Sequence, residues 1–183
     1  MNESDEKLFE RSLQGDDRSL RTLMERHGDA LMLYLNGYVR DLVAAEDLMI
    51  ESFSRMYVKR PSLRAGGFKP YLYKVGRNLA LHRMRERSRV FSLDDLELDP
   101  EAGELVEEVL LATEQSRALY SCLDRIPGEY REALFLVYIE EMSYDEAGAV
   151  MRKTRKQIDN LVQRGKRAAR ELLEAEGVRL GIG

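Results

Sequence analysis

An all-α protein built from two small helical domains is the fold this sequence predicts, and three observations carry the expectation. Leu, Ala, Arg and Glu dominate the 183 residues, with only four prolines and no tryptophan, a mixture that favours helices. Apolar residues recur at helical spacing, with no β-type alternation and no long internal repeat. An acidic stretch from Asp94 to Glu104 contains Pro100 and Gly103 and lacks a helical period, as an interdomain linker does. The expected organisation is a domain over 1–92, an acidic linker over 93–115, and a second domain over 116–183 that carries a helix-turn-helix.

Composition narrows the function classes. Hydrophobic residues make up 44% and charged residues 34%, enough for real cores behind a highly charged surface. Cys122 is the single cysteine, so no internal disulfide forms, and His27 and His82 are the only histidines. No metal cluster and no cofactor are expected. No run reaches the ~18 apolar residues of a membrane span, and Met1 to Glu10 is acidic rather than signal-like. The expectation is a cytoplasmic protein without membrane insertion.

The net charge of −4 hides a strong segregation. Met1 to Ser54 holds six basic and twelve acidic residues, and Arg55 to Arg89 eleven basic residues and one acid, Glu86. Asp94 to Gln115 holds nine acids and no base, while Arg152 to Arg170 holds eight bases and one acid, Asp159. Two basic segments separated by an acidic one point to two contacts with a polyanion.

Each element follows from local signals. Leu20 to Val39 reads as a helix loosened near Gly28 and Gly37. A second helix is expected from Val43 to Lys59, ending before Pro61. Its inward residues are Leu48, Met49, Ser52, Phe53 and Met56, which leaves Glu46, Asp47, Ile50 and Glu51 on one outer face. An apolar residue ringed by carboxylates suits a partner surface with a basic rim. A loop with Arg64-Ala65-Gly66-Gly67 follows. Pro70 then sits in the first turn of a third helix, where its missing N–H costs nothing, and that helix runs to Ser88. Phe68, Leu72, Val75, Gly76 and Leu79 form its expected buried stripe. Lys74, Arg77, Asn78 and Arg85 line the other side, with Tyr73 at the edge and Phe68 and Tyr71 read as core aromatics. A basic, amide-bearing face beside a loop suits a separated nucleic-acid strand.

In the C-terminal half, Ser143-Tyr144-Asp145-Glu146 fits a capping box, and Thr154-Arg155-Lys156-Gln157 repeats it eleven residues later,. That interval fits a short helix, a tight turn and a second helix. Ile158, Leu161, Val162, Gly165 and Ala169 face the core of the second helix. Lys156, Asn160, Gln163 and Arg167 occupy the opposite face, flanked by Gln157 and Arg164. Asn, Gln and Arg pair bidentately with base edges, while Lys and Arg neutralise phosphates. Gln157 is claimed by two roles, the capping box and DNA reading. Asp159 is read as a structural residue, electrostatically favoured near a helix N-terminus.

The run Leu123-Asp124-Arg125-Ile126-Pro127-Gly128-Glu129-Tyr130-Arg131-Glu132-Ala133-Leu134, continuing through Glu140-Glu141-Met142-Ser143-Tyr144-Asp145-Glu146-Ala147, resembles region 4 of extracytoplasmic-function sigma factors. The resemblance implies binding to the −35 promoter element and to the β flap of bacterial RNA polymerase. It puts DNA contacts on Arg155, Lys156, Gln157, Asn160, Arg164 and Arg167. Glu25-Arg26-His27-Gly28-Asp29-Ala30-Leu31 resembles the family's opening helix. Ala45-Glu46-Asp47-Leu48-Met49-Ile50-Glu51-Ser52-Phe53 resembles the segment that docks on the β′ clamp, which places core polymerase on Glu46, Asp47, Ile50 and Glu51. Phe68-Lys69-Pro70-Tyr71-Leu72-Tyr73-Lys74-Val75-Gly76-Arg77-Asn78-Leu79-Ala80 resembles the segment that melts and reads the −10 element. The resemblance implies a −10 face of Lys74, Arg77, Asn78 and Arg85 and a capturing loop over Arg60 to Lys69.

It covers Leu20 to Ser88 and Arg117 to Leu173, and it implies promoter DNA, core polymerase and an anti-sigma factor as partners. The acidic linker would pass through the polymerase channel or shield the basic surfaces of the free protein. One departure concerns the helix-turn-helix turn, where the family commonly has glycine and this chain has Arg152. Either the turn is shaped differently or Arg152 contacts a phosphate. A stand-alone helix-turn-helix regulator explains Ser143 to Arg170 but leaves the basic Arg55 to Arg89 segment without a role. An enzyme finds no support in any nucleophile–base pair, phosphate-cradling loop or metal spacing.

Overall fold

The computed structural model describes residues 3–90, 121–126 and 128–175, and the regular structure among them is helical throughout. They fall into two compact units on either side of a boundary between Ala102 and Gly103. The expected linker over 93–115 lies outside the described residues. Among the described residues no helix is long and apolar enough to cross a membrane.

The first unit contains α1 (Asp5–Leu13), α2 (Asp17–Val39), α3 (Leu42–Lys59) and α4 (Phe68–Val90). The sequence reading did not anticipate α1. Ser4 caps it by accepting from the Lys7 N–H, and Asp5 and Glu6 place negative charge in its first turn,. The start of α2 lies three residues before the expected one, because Asp16 accepts from the N–H groups of Arg18 and Ser19. It runs unbroken through Gly28 and Gly37, contrary to the expected loosening. Packing overrides the weak propensity of glycine here: Leu31, Leu33, Tyr34, Leu35, Asn36 and Val39 are all buried along this stretch. Arg40 ends α2 in the left-handed region, and Asp41 at once caps α3 through the Ala44 N–H. Helix α3 stops at Arg60, also left-handed, just before Pro61 as expected.

Leu23, Leu31 and Leu35 of α2, Leu48 and Met56 of α3, and Phe68, Leu72 and Tyr73 of α4 fill the core and are essentially solvent-free. Tyr73 therefore does not lie at the edge of a basic face. Its ring packs 5.0 Å from that of Tyr34. Leu79 is only half-buried, and Ala80 takes the inner position instead. The reason is that α4 packs against α2 and α3 together, so its buried stripe is wider than one helix contact would require.

Among the described residues the second unit contains helical residues at 121–124, followed by α5 (Gly128–Leu134), a π-helical segment (Phe135–Ile139), α6 (Tyr144–Met151) and α7 (Arg155–Ala175). The wider turn is visible where the Glu140 N–H donates to the Phe135 carbonyl at 3.0 Å, an i→i−5 bond. Helices α5 and α6 both pack on α7. Ala133, Leu136, Ala147, Val150, Ile158 and Val162 form the centre of this unit and are 0–1% exposed, which leaves the polar side of α7 facing outward.

Candidate nucleic-acid interface

The geometry of α6 and α7 rests on two reciprocal caps. Ser143 Oγ accepts from the Glu146 N–H at 3.1 Å while Glu146 Oε2 accepts from the Ser143 N–H at 2.7 Å. At α7, Thr154 Oγ1 accepts from the Gln157 N–H at 3.2 Å and Gln157 Oε1 accepts from the Thr154 N–H at 2.8 Å. Both boxes expected from the sequence are formed, and the Gln157 carbonyl is occupied by its own.

The turn between the helices is held from one carbonyl. Gly148 O accepts from the N–H groups of both Arg152 and Lys153. Arg152 takes the left-handed conformation, φ 55° and ψ 46°, where glycine is the usual occupant. The turn thus has the shape glycine would give it. Gly148 itself is required for a different reason: a Cβ there would lie 2.5 Å from the Lys153 carbonyl oxygen.

On α7, Ile158, Leu161, Val162 and Gly165 are buried and Ala169 is half-buried, as the spacing predicted. Lys156, Gln157, Asn160, Gln163, Arg164 and Arg167 are all exposed. A shallow concavity lies among Lys153, Gln157, Asn160, Leu161 and Arg164. Arg155 is exposed but not isolated: its Nη1 lies 3.1 Å from Asp145 Oδ2, and its Cζ sits 5.8 Å from the centre of the Tyr144 ring. Lys153 pairs with Glu129 of α5 at 3.0 Å. These contacts tie the start of α7 to α5 and α6, so the polar face is presented on a braced helix.

In the first unit, α4 turns Asn78 and Arg85 fully outward, with Lys74 and Arg77 half-exposed beside them. The loop leading to α4 is also basic on its surface, with Lys59, Arg60 and Arg64 exposed. Gly66, at φ 75°, supplies the left-handed turn that closes it,. The downstream anchor of this loop is Phe68, whose ring lies 5.5 Å from Phe9 and 5.6 Å from His27. Its N–H donates to Glu6 Oε1 at 3.1 Å. Sequence reasoning missed this support because it took the N-terminus only as evidence about export. The signal was present in Ser4-Asp5-Glu6 as a helix start followed by Leu8, Phe9 and Leu13,.

On α3, Leu48, Ser52, Phe53 and Met56 are buried and Met49 is half-buried. Glu46, Asp47 and Ile50 are exposed and Glu51 is half-exposed. The structure extends this face beyond the sequence reading. Val43 is 71% exposed and Val58 84%, and helical spacing puts both in line with Asp47, Ile50 and Ser54. Three apolar side chains therefore stand in solvent on one stripe, with Glu46, Asp47 and Glu51 around its Val43 and Ile50 part and the basic Arg55 and Lys59 next to Val58.

One unit with a braced helix-turn-helix and another with a basic helix and loop beside an acidic face that exposes apolar side chains fit the class of two-domain factors that bring polymerase to promoter DNA. The comparisons agree. The Sigma-70 region 2 model matches residues 23–90 and the Sigma-70, region 4 model matches residues 116–168. The ECF RNA polymerase sigma factor SigM of Bacillus subtilis (strain 168) is 30% identical over 118 residues, spanning 64% of this chain and 72% of that one. SigW of the same organism is 25% identical over 171 residues, 87% of this chain and 91% of its own. Two solved structures share the fold. One is the sigma factor RpoE in complex with the anti-sigma factor NepR from Bartonella quintana (TM-score 0.64, 20% identity, 86% of this chain and 98% of that one). The other is CnrH in complex with the cytosolic domain of CnrY (TM-score 0.63, 23% identity, 94% and 99%). The chain belongs to the extracytoplasmic-function family of RNA polymerase sigma factors. It binds core polymerase and directs initiation at promoters that carry −10 and −35 elements. The region 2 match takes in the basic Arg55 to Arg89 segment, which a stand-alone regulator would leave without a role.

Proposed function

We propose a division of this activity among the three faces, acting by binding alone and without catalysis, in the cytoplasm where polymerase and promoter DNA are found. Helix α7 enters the major groove of the −35 duplex. Asn160 and Arg164 address base edges, Lys156 and Arg167 neutralise phosphates, and the remaining amide donor of Gln157 faces the backbone. Arg155, already held by Asp145 and Tyr144, is positioned for a phosphate rather than a base. Lys74, Arg77, Asn78 and Arg85 of α4 line the opened −10 strand, with the loop over Arg60 to Lys69 receiving an unstacked base. Glu46, Asp47, Ile50 and Glu51, extended by Val43, dock on the β′ clamp, and the second unit also meets the β flap. An anti-sigma protein is a further partner, by analogy with the RpoE complex.

The observation that carries this reading is the braced polar face of α7, where the apolar side is buried and Lys156, Gln157, Asn160, Gln163, Arg164 and Arg167 are all exposed. Transcription with purified core polymerase on a library of promoter fragments tests it. The expected result is initiation on a subset sharing two spaced elements, with dependence on the upstream element lost in Asn160→Ala and Arg164→Ala. Initiation that ignores the upstream element in the unaltered protein would overturn the assignment of α7.

A further inference from the structure

Within the basic stretch from Arg152 to Arg170, Asp159 is the only acid, and its reading as a structural residue does not survive the geometry around it. The start of α7 is already capped in both directions by Thr154 and Gln157. Asp159 is the fifth residue of the helix, whereas the benefit of a carboxylate at a helix N-terminus fades beyond the first turn. The side chain is exposed, and none of the ion pairs found among the described residues uses it. Its one hydrogen bond is a long one, from Gln163 Nε2 to Oδ1 at 3.5 Å. Helical spacing sets it between Lys156 and Gln163, on the same outward side as the groove-facing residues.

A carboxylate in that place meets a severe constraint when α7 enters a major groove. Surrounded by phosphates and stripped of water, it must find a hydrogen-bond donor or bear the desolvation of an unpaired charge. The major-groove edges of guanine and of thymine offer only acceptors, adenine offers one donor beside an acceptor, and cytosine offers its N4 amino group with no acceptor of its own. The geometry points to Asp159 as a sequence-discriminating residue of the −35 helix, which selects cytosine at one position of the element and rejects bases that present acceptors there. Gln163 orients the carboxylate. This inference rests on the assignment of α7 to the −35 element.

The test is selection of active promoters by holoenzyme, core polymerase with the full chain, from a library randomised across the −35 element. Unaltered protein, Asp159→Asn, Asp159→Ala and, as controls, Asn160→Ala and Arg164→Ala are compared. Asp159→Ala is expected to lose cytosine preference at one position by roughly 5- to 150-fold, the range of one mismatched base pair. Preferences elsewhere stay unchanged and overall affinity holds or rises, because a negative charge near phosphates is gone. Asp159→Asn is expected to shift that position toward adenine, which asparagine can pair bidentately. Uniform change across all positions, or no change in any preference, overturns the proposal. If the two controls alter upstream readout and the Asp159 variants do not, only Asp159 is misassigned. If the controls also leave readout unchanged, α7 is not the −35 helix.

Discussion

Arg152 holds a backbone conformation that costs an L-residue about 1–2 kcal/mol, with φ 55° and ψ 46° at the end of α6. The turn accepts that strain because two N–H groups converge on Gly148 O. Replacing Arg152 with glycine is therefore expected to raise the stability of the second unit by about 1 kcal/mol, once the greater freedom of glycine in the unfolded chain is counted. Thermal or urea unfolding would register it, and an unchanged midpoint would mean that the turn relaxes some other way. A contrast in function is expected at Lys156, which is exposed on α7 and has no counterpart among the base-reading amides. Lys156→Ala should weaken promoter binding about equally across sequences and reduce the log–log salt slope by about one. A change in preferred sequence with the slope intact would move Lys156 from phosphate to base. At this scale the sequence was most legible where a residue has one local job. Both capping boxes and the inner face of α7 could be read from spacing alone. Tyr73 could not, because its burial depends on Tyr34 some forty residues earlier meeting it across the core.

Helix α1 shows what an element contributes that its own sequence does not announce. It lies outside the residues matched by the region 2 model, yet it touches the helices around it through polar contacts. Arg26 Nη1 and His27 Nε2 donate to the Asp5 carboxylate at 2.7 Å each. Tyr57 donates its hydroxyl proton to Ser12, and Glu6 accepts from the first N–H of α4. Burial pushes the Asp5 carboxyl upward, but the hydrogen bonds from His27 and Arg26 outweigh it and hold the group below its ordinary value of 3.8. A carboxylate depressed in the folded state contributes stability that is present above its unfolded pKa and is lost as pH falls through the folded one. Helix α1 is thus expected to loosen below about pH 4, before α2 to α4. Chemical-shift titration of the α1 amides would follow it, and Asp5→Asn should abolish the pH dependence; a titration identical in that variant would assign the effect to another group. Since Glu6 and Phe9 hold the base of the loop over 60–67, Glu6→Ala is expected to impair opening at −10 more than binding to core polymerase. Permanganate footprinting on promoter complexes would show reduced reactivity of −10 thymines, and undiminished reactivity would free the loop from α1. The helices α2, α3 and α4 were legible from their apolar periods, with Pro61 marking the end of α3 and Pro70 the start of α4. The π-helical segment Phe135–Ile139 was not, since an apolar run of that length does not distinguish one helical pitch from another.

Across the whole chain, charge separates by task. The acidic first 54 residues carry most of α3, the helix proposed to dock on polymerase, while basic residues gather on α4, its loop and α7. That partition was readable without coordinates because charge counts need no tertiary information. The exposed apolar stripe on α3 was only half readable: Ile50 was identified, whereas Val43 and Val58 were not placed on it, because their exposure follows from which face of α3 meets α2 and α4. If this stripe is what joins the chain to polymerase, its loss must act on both promoter elements at once, since α4 and α7 reach an initiation complex only as parts of a docked factor. Ile50→Arg places a cation among Glu46, Asp47 and Glu51 on a side chain 47% exposed, so the fold should tolerate it with an unchanged unfolding midpoint. The same cation would face the basic rim expected of the partner and desolvate poorly in the centre of the contact, where a few residues dominate binding. Core binding is expected to fall at least tenfold in a pull-down. Transcription should fall by the same factor on promoters with strong or weak −35 elements alike. A variant of α7 such as Arg164→Ala should instead leave core binding intact and penalise only promoters that depend on the upstream element. Near-normal binding of core by Ile50→Arg would remove the α3 stripe from the docking surface, and a loss confined to one promoter class would show that the two units engage polymerase independently.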